Sequence, residues 1–169
     1  MIDKLYLGDC LEVMNDIPDG SVDMVLCDLP YGVLNQNNEG AKWDVIIPFE
    51  PLWKQYLRVC KENAAIVLFS SGMFTAKLMM SQPDLWRYNL VWDKCTTTGF
   101  LNANRMPLRQ HEDICVFYRS LPVYNPQMKT GIIHSRQHGN LKNNCYGDYD
   151  MQSHHVITNE YYPTSIIKF

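Results

Sequence analysis

The sequence has few of the features that membrane and secreted proteins need. No apolar run approaches the roughly 20 residues that a membrane-crossing helix requires. The first residues, MIDKLYLGDC, also lack the basic and apolar regions of a signal peptide. We therefore expect a cytoplasmic protein with no membrane partner.

Motifs that would assign a function directly are absent as well. The sequence contains no GxGxxG, P-loop or GxSxG motif. Its six cysteines form no CxxC pair, so we expect reduced thiols. His134 and His138 are four residues apart, but Gly131 and Gly139 argue against a helix there, and no third ligand is evident. We predict no metal site.

An excess of positive charge is also missing from the chain as a whole. The net charge is -3, which argues against a general binder of polyanions, because non-specific affinity for nucleic acids comes from Lys and Arg. Residues 1–118 hold ten Lys and Arg against fifteen Asp and Glu, whereas residues 119–169 hold five against three and add four of the five histidines. The basic part of the chain is its C-terminal part.

The apolar residues that are present follow the periods of an α/β protein. At 169 residues with 46% hydrophobic content, the chain has the size of one globular domain. The pattern predicts strands over 4–9, 22–28, 64–71, 86–94 and 111–119 and helices over 10–18, 48–63 and 72–82. This order predicts a mostly parallel, doubly wound sheet with helices on both faces and ligands at the carboxyl ends of its strands. The last two strands have no helix between them, which favours an antiparallel edge strand, and from residue 120 onward no clear period remains.

One stretch, VDMVLCDLPYG at residues 22–32, combines an apolar strand with an abrupt polar turn. Asp28 ends the strand at the sheet edge where ligands bind. A carboxylate beside backbone carbonyls can accept the hydrogens of an amino group, and Tyr31 offers a face on which a flat ring can stack. The chemistry suits an aromatic amine. The alternative is that Asp28 caps a loop or the next helix and that Tyr31 belongs to the core.

The letters DLPY resemble the (D/N/S)PP(Y/F) catalytic motif of DNA amino-methyltransferases that use S-adenosylmethionine, with leucine in place of the first proline. The wider string GDCLEVMNDIPDGSVDMVLCDLPYG resembles the start of the permuted, beta-type members, in which the catalytic half precedes the cofactor half. KWDVIIPFEPLW, AAIVLFSS, LVWDK and HEDICVFY fit the same subgroup in the same order. The resemblance covers about residues 4–119 and implies a Rossmann-like methyltransferase fold.

The resemblance implies methylation of adenine N6 in double-stranded DNA, with Asp28, Leu29, Pro30 and Tyr31 as the catalytic motif. The target adenine would be flipped out of the duplex, Tyr31 would stack on it, and Asp28 with the Leu29 carbonyl would accept hydrogen bonds from its amine. Transfer is then direct, so the site supplies positioning and electrostatics. Because stacking needs the ring and not the hydroxyl, phenylalanine would serve in place of Tyr31.

The resemblance also implies a cofactor site, of which Asp9, Cys10 and Asp28 form one wall. The Asp9 carboxylate would take the amine of the S-adenosylmethionine adenine, and the next backbone amide would meet a ring nitrogen. The alternative is that Asp9 is the N-cap of the helix that follows. Trp43 would belong to a loop that closes over the flipped base, or else it is a hydrophobic plug.

DNA contacts are expected in two places. Arg105 and Arg109 lie between the last two predicted strands and would hold phosphates, or else they are plain solvated charges. Residues 1–119 would form the catalytic half, and residues 120–169 would begin a target-recognition region whose Arg, Asn and Gln side chains read base edges. The alternative for this tail is a solvated polar segment.

In the permuted family a glycine-rich cofactor segment follows the recognition region, and this sequence has no counterpart of it. We therefore expect a fold that is incomplete at its C-terminus, and a second chain or a further C-terminal half that completes the cofactor site. Two alternatives remain for the function. The enzyme would methylate cytosine at N4, or the chain is a non-catalytic DNA-binding or partner-binding remnant.

Overall fold

The computed structural model describes residues 4–34, 39–137 and 155–168. Its helices are α1 (Cys10–Val13), α2 (Phe49–Val59) and α3 (Met73–Ser81), and short 3-10 turns lie at Met14–Asp16, Glu39–Ala41 and Phe100–Asn102. Its strands are β1 (Val22–Asp28), β2 (Cys60–Ser70), β3 (Trp86–Thr98), β4 (Arg109–Phe117), β5 (Lys129–Gln137), β6 (His155–Tyr161) and β7 (Ile166–Lys168). None of the described helices is both long and apolar enough to cross a membrane.

The chain divides into two compact units. The first comprises Met1–Val123 and Ser165–Phe169, and the second comprises Tyr124–Thr164. A five-stranded sheet in the order β1-β2-β4-β3-β7 forms the first unit, and the antiparallel pair β5-β6 forms the second. The functional boundary that we predict between residues 119 and 120 stays a prediction.

The five-stranded sheet is mixed: β1, β2, β3 and β7 run in one direction and β4 runs in the other, so the prediction of a mostly parallel sheet holds for four of the five described strands. β1 pairs with β2 and β3 pairs with β7 in parallel, whereas β4 is antiparallel to both β2 and β3. The expected antiparallel strand is present, but β4 lies inside the sheet and not at its edge. The direct connection from β3 to β4 explains the reversal, because parallel neighbours need a long crossover connection.

The helices pack on one face of this sheet. Ile66 and Leu68 of β2 are 2% and 0% exposed in a cluster that includes Leu52 of α2. On the other face Met24 and Leu26 of β1 are 51% and 61% exposed. Doubly wound sheets are covered on both faces, so the predicted second layer of helices is not found among the described residues.

The strand predicted over 4–9 is not formed. Residues 4–8 form no strand, and Leu5 and Leu7 are fully exposed, because no described strand lies beside them to complete the hydrogen bonds. Conversely, β5 and β6 lie where no period was evident. Ile132 and Ile157 of the β5-β6 pair are 85% and 68% exposed. The sequence therefore shows no alternation of buried and exposed residues there, and the two strands are defined by their pairing with each other.

Candidate functional site

The candidate site is built at the carboxyl end of β1. Asp28 is the last residue of that strand, and its Oδ1 accepts a hydrogen bond from the Tyr31 hydroxyl at 2.8 Å. Burial, followed by this bond to Asp28, raises the pKa of Tyr31 well above its ordinary value. The phenol therefore remains a donor at physiological pH. Asp28 Oδ2 has no hydrogen-bond partner among the described residues.

Tyr31 is held from one side by the core. Its ring stacks on Phe74 of α3, with 4.9 Å between the centroids and 28° between the planes. The ring is half-buried: one face packs against the core, as the alternative reading of Tyr31 expected, and the other face does not. A ligand can stack only on the opposite face.

Leu29 has a role that the sequence did not reveal. Its side chain is 6% exposed and belongs to the core cluster with Leu52 and Phe74. We call residues 29–34 the motif turn. The Leu29 side chain therefore anchors this turn by hydrophobic packing.

The remainder of the motif turn is held by Asp44. Its side chain is almost fully buried, at 2% exposure. Its carboxylate accepts hydrogen bonds from the backbone amides of Gly32 at 3.0 Å, Val33 at 2.7 Å and Leu34 at 2.6 Å. These bonds, that of Leu34 foremost, hold the pKa of Asp44 below its usual value. In the sequence Asp44 follows Trp43 at the end of the polar loop that the resemblance places over the flipped base, but nothing there predicts its bonds to the motif turn.

Gly32 is required in this turn for two reasons. Its φ is +70°, a left-handed conformation that side chains rarely adopt. A Cβ placed on it would also lie 2.9 Å from Cγ1 of Ile46. The glycine after Tyr31 therefore lets the loop that carries Asp44 approach the motif turn closely.

A cleft of about 400 Å³ opens beside the motif. It is lined by Asp28, Leu29, Pro30, Tyr31, Val33, Leu34, Trp43 and Asp44. Trp43 is 68% exposed at this cleft, so the alternative that it is a buried plug is wrong. The structure thus brings together the four motif residues and Trp43.

A second cavity, of about 300 Å³, lies on another side of Tyr31 and is lined partly by cationic side chains. Arg109 and Lys77 line it, and Arg109 Nη1 donates to Ser71 Oγ at 2.7 Å. Arg105 is exposed and lines neither this cavity nor the cleft. Of the two predicted arginines, only Arg109 is therefore close to the motif.

Asp9 has the capping role that was the alternative for it. It is the N-cap of α1, and its Oδ1 accepts from the Leu11 amide at 2.8 Å. Cys10 is exposed, and partial burial together with the charge of Asp9 raises the pKa of its thiol. A thiolate at Cys10 is thus disfavoured at physiological pH, and the group it can offer a ligand is its backbone amide. A cofactor role for these two residues stays a prediction.

The second unit has an aromatic contact of its own. His134 stacks on Tyr161, with 4.2 Å between the ring centroids. His138 lies outside the described residues, so the pair of histidines cannot be compared. The described part of the chain contains no group of three side chains suited to hold a metal ion.

Similarity to known proteins is local in sequence and broad in structure. No family model matches the chain. Over 38 residues, 22% of this chain and 9% of the relative, it is 42% identical to the Type II methyltransferase M.BamHI of Bacillus amyloliquefaciens. The solved structure of PvuII DNA methyltransferase, which is cytosine-N4-specific, superposes with a TM-score of 0.54 at 14% identity over 69% of this chain and 49% of that chain.

A proposed DNA modification methylase of Thermus thermophilus, TTHA0409, gives a TM-score of 0.53 at 15% identity over 75% of this chain and 58% of that chain. TTHA0409 has also been solved complexed with S-adenosyl-L-methionine. The chain spans about half the length of the PvuII enzyme and less than a tenth of M.BamHI. It therefore shares the α/β fold of these solved structures, with a mixed sheet, over about half to three-fifths of their length.

Proposed function

We propose that this chain is the catalytic half of a DNA amino-methyltransferase that transfers methyl from S-adenosylmethionine to adenine N6. The observation that carries the proposal is the strand-end carboxylate of Asp28, oriented by the Tyr31 hydroxyl at the mouth of a cleft with one open aromatic face. The fold shared with solved DNA methyltransferase structures and the local similarity to M.BamHI support it.

The residues of the cleft suit direct transfer to an amine. A flipped base stacks on the open face of Tyr31, and its amine donates one hydrogen to Asp28 and the other to the Leu29 carbonyl. These bonds leave the nitrogen lone pair directed away from the ring plane, where it can form the new bond to carbon. As that bond forms, the nitrogen loses a proton, and the exposed Asp28 carboxylate is placed to take it and release it to water.

S-adenosylmethionine supplies an electrophilic methyl group on a sulfonium. The residues that would hold its adenine are Asp9 and Cys10. They fit this role, because the first amides of a helix have no helical carbonyl to bond and Asp9 uses only Oδ1 for its cap. Asp28 lies beside the methyl-accepting base in this arrangement.

DNA would be held mainly outside the cleft. Arg109 and Lys77 line a cavity next to Tyr31, which is where phosphates flanking a flipped base would pass. Arg105 belongs to an exposed segment that can follow the backbone of the duplex. Residues 120–169 would read the sequence from the major groove.

A completing polypeptide is part of the proposal. The apolar face of β1 carries Met24 and Leu26 in solvent, and Asp9 and Cys10 offer only one wall for a cofactor. A second chain or a further segment of this protein would cover that face and supply the other wall. The alternative function, a non-catalytic DNA-binding remnant, would need no such completion.

Cytosine N4 is the second candidate target. It is favoured by the shared fold with PvuII DNA methyltransferase, which is cytosine-N4-specific. A cytosine amine offers the same two hydrogens as an adenine amine, so Asp28 and the Leu29 carbonyl would bind either one.

The decisive experiment introduces Asp28→Ala into the chromosomal gene for this protein in its own host cell. Genomic DNA from cells with Asp28→Ala and from unmodified cells is digested to nucleosides and compared by mass spectrometry. We expect the N6-methyladenine content of the genomic DNA to fall in the Asp28→Ala cells. The control is Asp23→Ala, because Asp23 is a surface aspartate of the same strand, paired with Lys61.

Each other outcome has a distinct meaning. Loss of N4-methylcytosine in place of N6-methyladenine would support the second candidate. Absence of both modified bases from the unmodified cells, with DNA binding retained, would support the non-catalytic remnant. Equal methylation with and without the Asp28 carboxylate would contradict the proposed function.

A further inference from the structure

Asp44 is a buried charge that the proposed chemistry does not use. It is 2% exposed, yet it belongs to neither a helix nor a strand. Its described side-chain hydrogen bonds all go to three consecutive amides of the motif turn, those of Gly32, Val33 and Leu34. Its own amide bonds the carbonyl of Ala41, which fixes where the carboxylate stands.

Three consecutive amides that point at one anion define the conformation of the segment that carries them. Such a segment forms a concave nest for negative charge. Bonds from neutral donors to an ionised carboxylate are also roughly twice as strong as bonds between neutral groups. All three amides of residues 32–34 therefore have the Asp44 carboxylate as their acceptor.

The motif turn transmits this constraint to the catalytic groups. Tyr31 directly precedes the first bonded amide, so the position of Gly32 sets the direction in which the Tyr31 ring leaves the backbone. That ring must lie on Phe74 and also reach Oδ1 of Asp28. These two contacts, one on the face of the ring and one at its hydroxyl, restrict the backbone that carries the side chain.

We propose that Asp44 is a positioning residue, which holds the motif turn so that Tyr31 and Asp28 stand in the geometry that methyl transfer requires. Its link to methyl transfer rests on the proposed function, whereas its hold on Tyr31 does not. The Asp44 carboxylate bonds the amides of residues 32–34, and in this proposal Asp44 acts through residues 31–34.

The first test measures amide exchange and ring contacts in the motif turn of the purified protein, without any substrate. We expect Asp44→Asn to speed exchange of the Gly32, Val33 and Leu34 amides by roughly tenfold or more. Nuclear Overhauser contacts between the Tyr31 and Phe74 rings should weaken in the same variant. An unchanged Tyr31–Phe74 contact would overturn the proposal.

Two controls separate positioning from general stability. Asp23→Asn makes the same chemical change on the surface and should leave both readouts unchanged. Thr75→Val removes the bond from a nearly buried hydroxyl to Asp113 and should lower the melting temperature without altering the amides of the motif turn. If Asp44→Asn unfolds the whole chain, Asp44 is a residue of the fold and the proposal fails.

The second test uses the complete protein purified from its own cell. We expect Asp44→Asn to lower kcat for methyl transfer by roughly tenfold to a hundredfold, because small misplacements of reacting groups are costly, while KM for DNA stays within about twofold. Asp44→Glu, which restores the charge, should recover part of the rate. A raised KM with unchanged kcat would overturn the proposal.

The two tests also separate this inference from the proposed function. If the unmodified protein transfers no methyl group to DNA, the proposed function fails, and the exchange and ring contacts still decide whether Asp44 holds Tyr31. If methyl transfer occurs but is insensitive to Asp44→Asn, the function stands and the positioning role is lost.

Discussion

The motif turn and the connection between β3 and β4 were both predicted to meet the substrate, and they are built in opposite ways. In the turn, Leu29 is 6% exposed and Asp44 bonds three amides from a buried position. In the connection, residues 99–108, every residue is exposed, and its backbone bonds span only three or four residues. The first segment is tied to the core, and the second is tied only to itself.

This difference matches two kinds of contact. Chemistry on a base needs groups fixed before the substrate arrives, because positioning supplies a large part of the rate. Contacts to DNA phosphates contribute to affinity through charge and do not require exact placement of the side chains that make them. We therefore expect substitutions in the motif turn to change rate and stability and substitutions in the connection to change only DNA affinity.

The largest effect is expected at Asp28. Asp28→Ala should lower the rate of methyl transfer by roughly a hundredfold or more, because it removes the main acceptor for the amine. DNA affinity, measured by fluorescence anisotropy with a labelled duplex, should change by less than about threefold, since most affinity comes from phosphate contacts. A parallel loss of rate and affinity would mean that Asp28 holds the DNA and does not orient the amine.

Leu29→Ala should produce the largest loss of stability. Truncation of a buried leucine costs about 2 to 5 kcal/mol, as measured by urea unfolding. Leu101 in the β3–β4 connection is 83% exposed and gives the matched control. Leu101→Ala should change stability by less than about 0.5 kcal/mol. Similar losses at the two positions would contradict the contrast between the segments.

The stability that Asp44 contributes should depend on pH. Its folded-state pKa is lowered, so its contribution is present above the pKa of the unfolded chain and is lost as the pH falls through the lower folded value. The gap in free energy of unfolding between the protein and Asp44→Asn should therefore be full above roughly pH 5 and shrink below about pH 4. Urea titrations at several pH values measure it, and a gap that widens on acidification would contradict this sign.

Two substitutions of Tyr31 distinguish the contribution of its ring from that of its hydroxyl. Tyr31→Ala should lower the rate by the loss of stacking, worth about 1 to 3 kcal/mol per base. The sequence alone predicts that Tyr31→Phe has no effect. The bond to Asp28 changes that expectation: we now expect a several-fold loss of kcat, because Asp28 loses the donor that orients it. Full activity of Tyr31→Phe would show that Asp28 needs no such support.

The smallest effects are expected in the connection. Arg105→Ala should weaken DNA binding slightly and uniformly across sequences, and the slope of log affinity against log salt should fall by about one. Arg109→Ala should act more strongly, since Arg109 lines the cavity beside Tyr31 and bonds Ser71. A loss of kcat in Arg105→Ala would place that arginine in the site and remove the distinction between the two segments.

Local pattern predicted most elements of the first unit. The segment from 22 to 28 forms β1, and the helix predicted over 72–82 forms α3 at Met73–Ser81. The predicted helix over 48–63 ends at Val59, because Cys60 already enters β2. Errors concentrate where neighbours decide, as in residues 4–8, whose apolar side chains have no described partner strand.

Part of the candidate site was also predictable. DLPY and its flanks singled out Asp28 and Tyr31, and the structure places both at one cleft with Trp43. The role of Asp44 was not predictable, because its carboxylate reaches amides ten to twelve residues away. A contact across that distance leaves no period or spacing in the sequence.

The sequence by itself determined the strand-end carboxylate, the aromatic residue three positions later and the glycine that permits a left-handed turn, because these depend on short-range backbone geometry. Tertiary structure alone decided that Leu29 packs in the core, that the Tyr31 hydroxyl bonds Asp28 and that Asp44 bonds three amides of the turn. It also decided that β4 lies inside a mixed sheet. Burial and pairing arise between segments that are distant along the chain, so no local pattern records them.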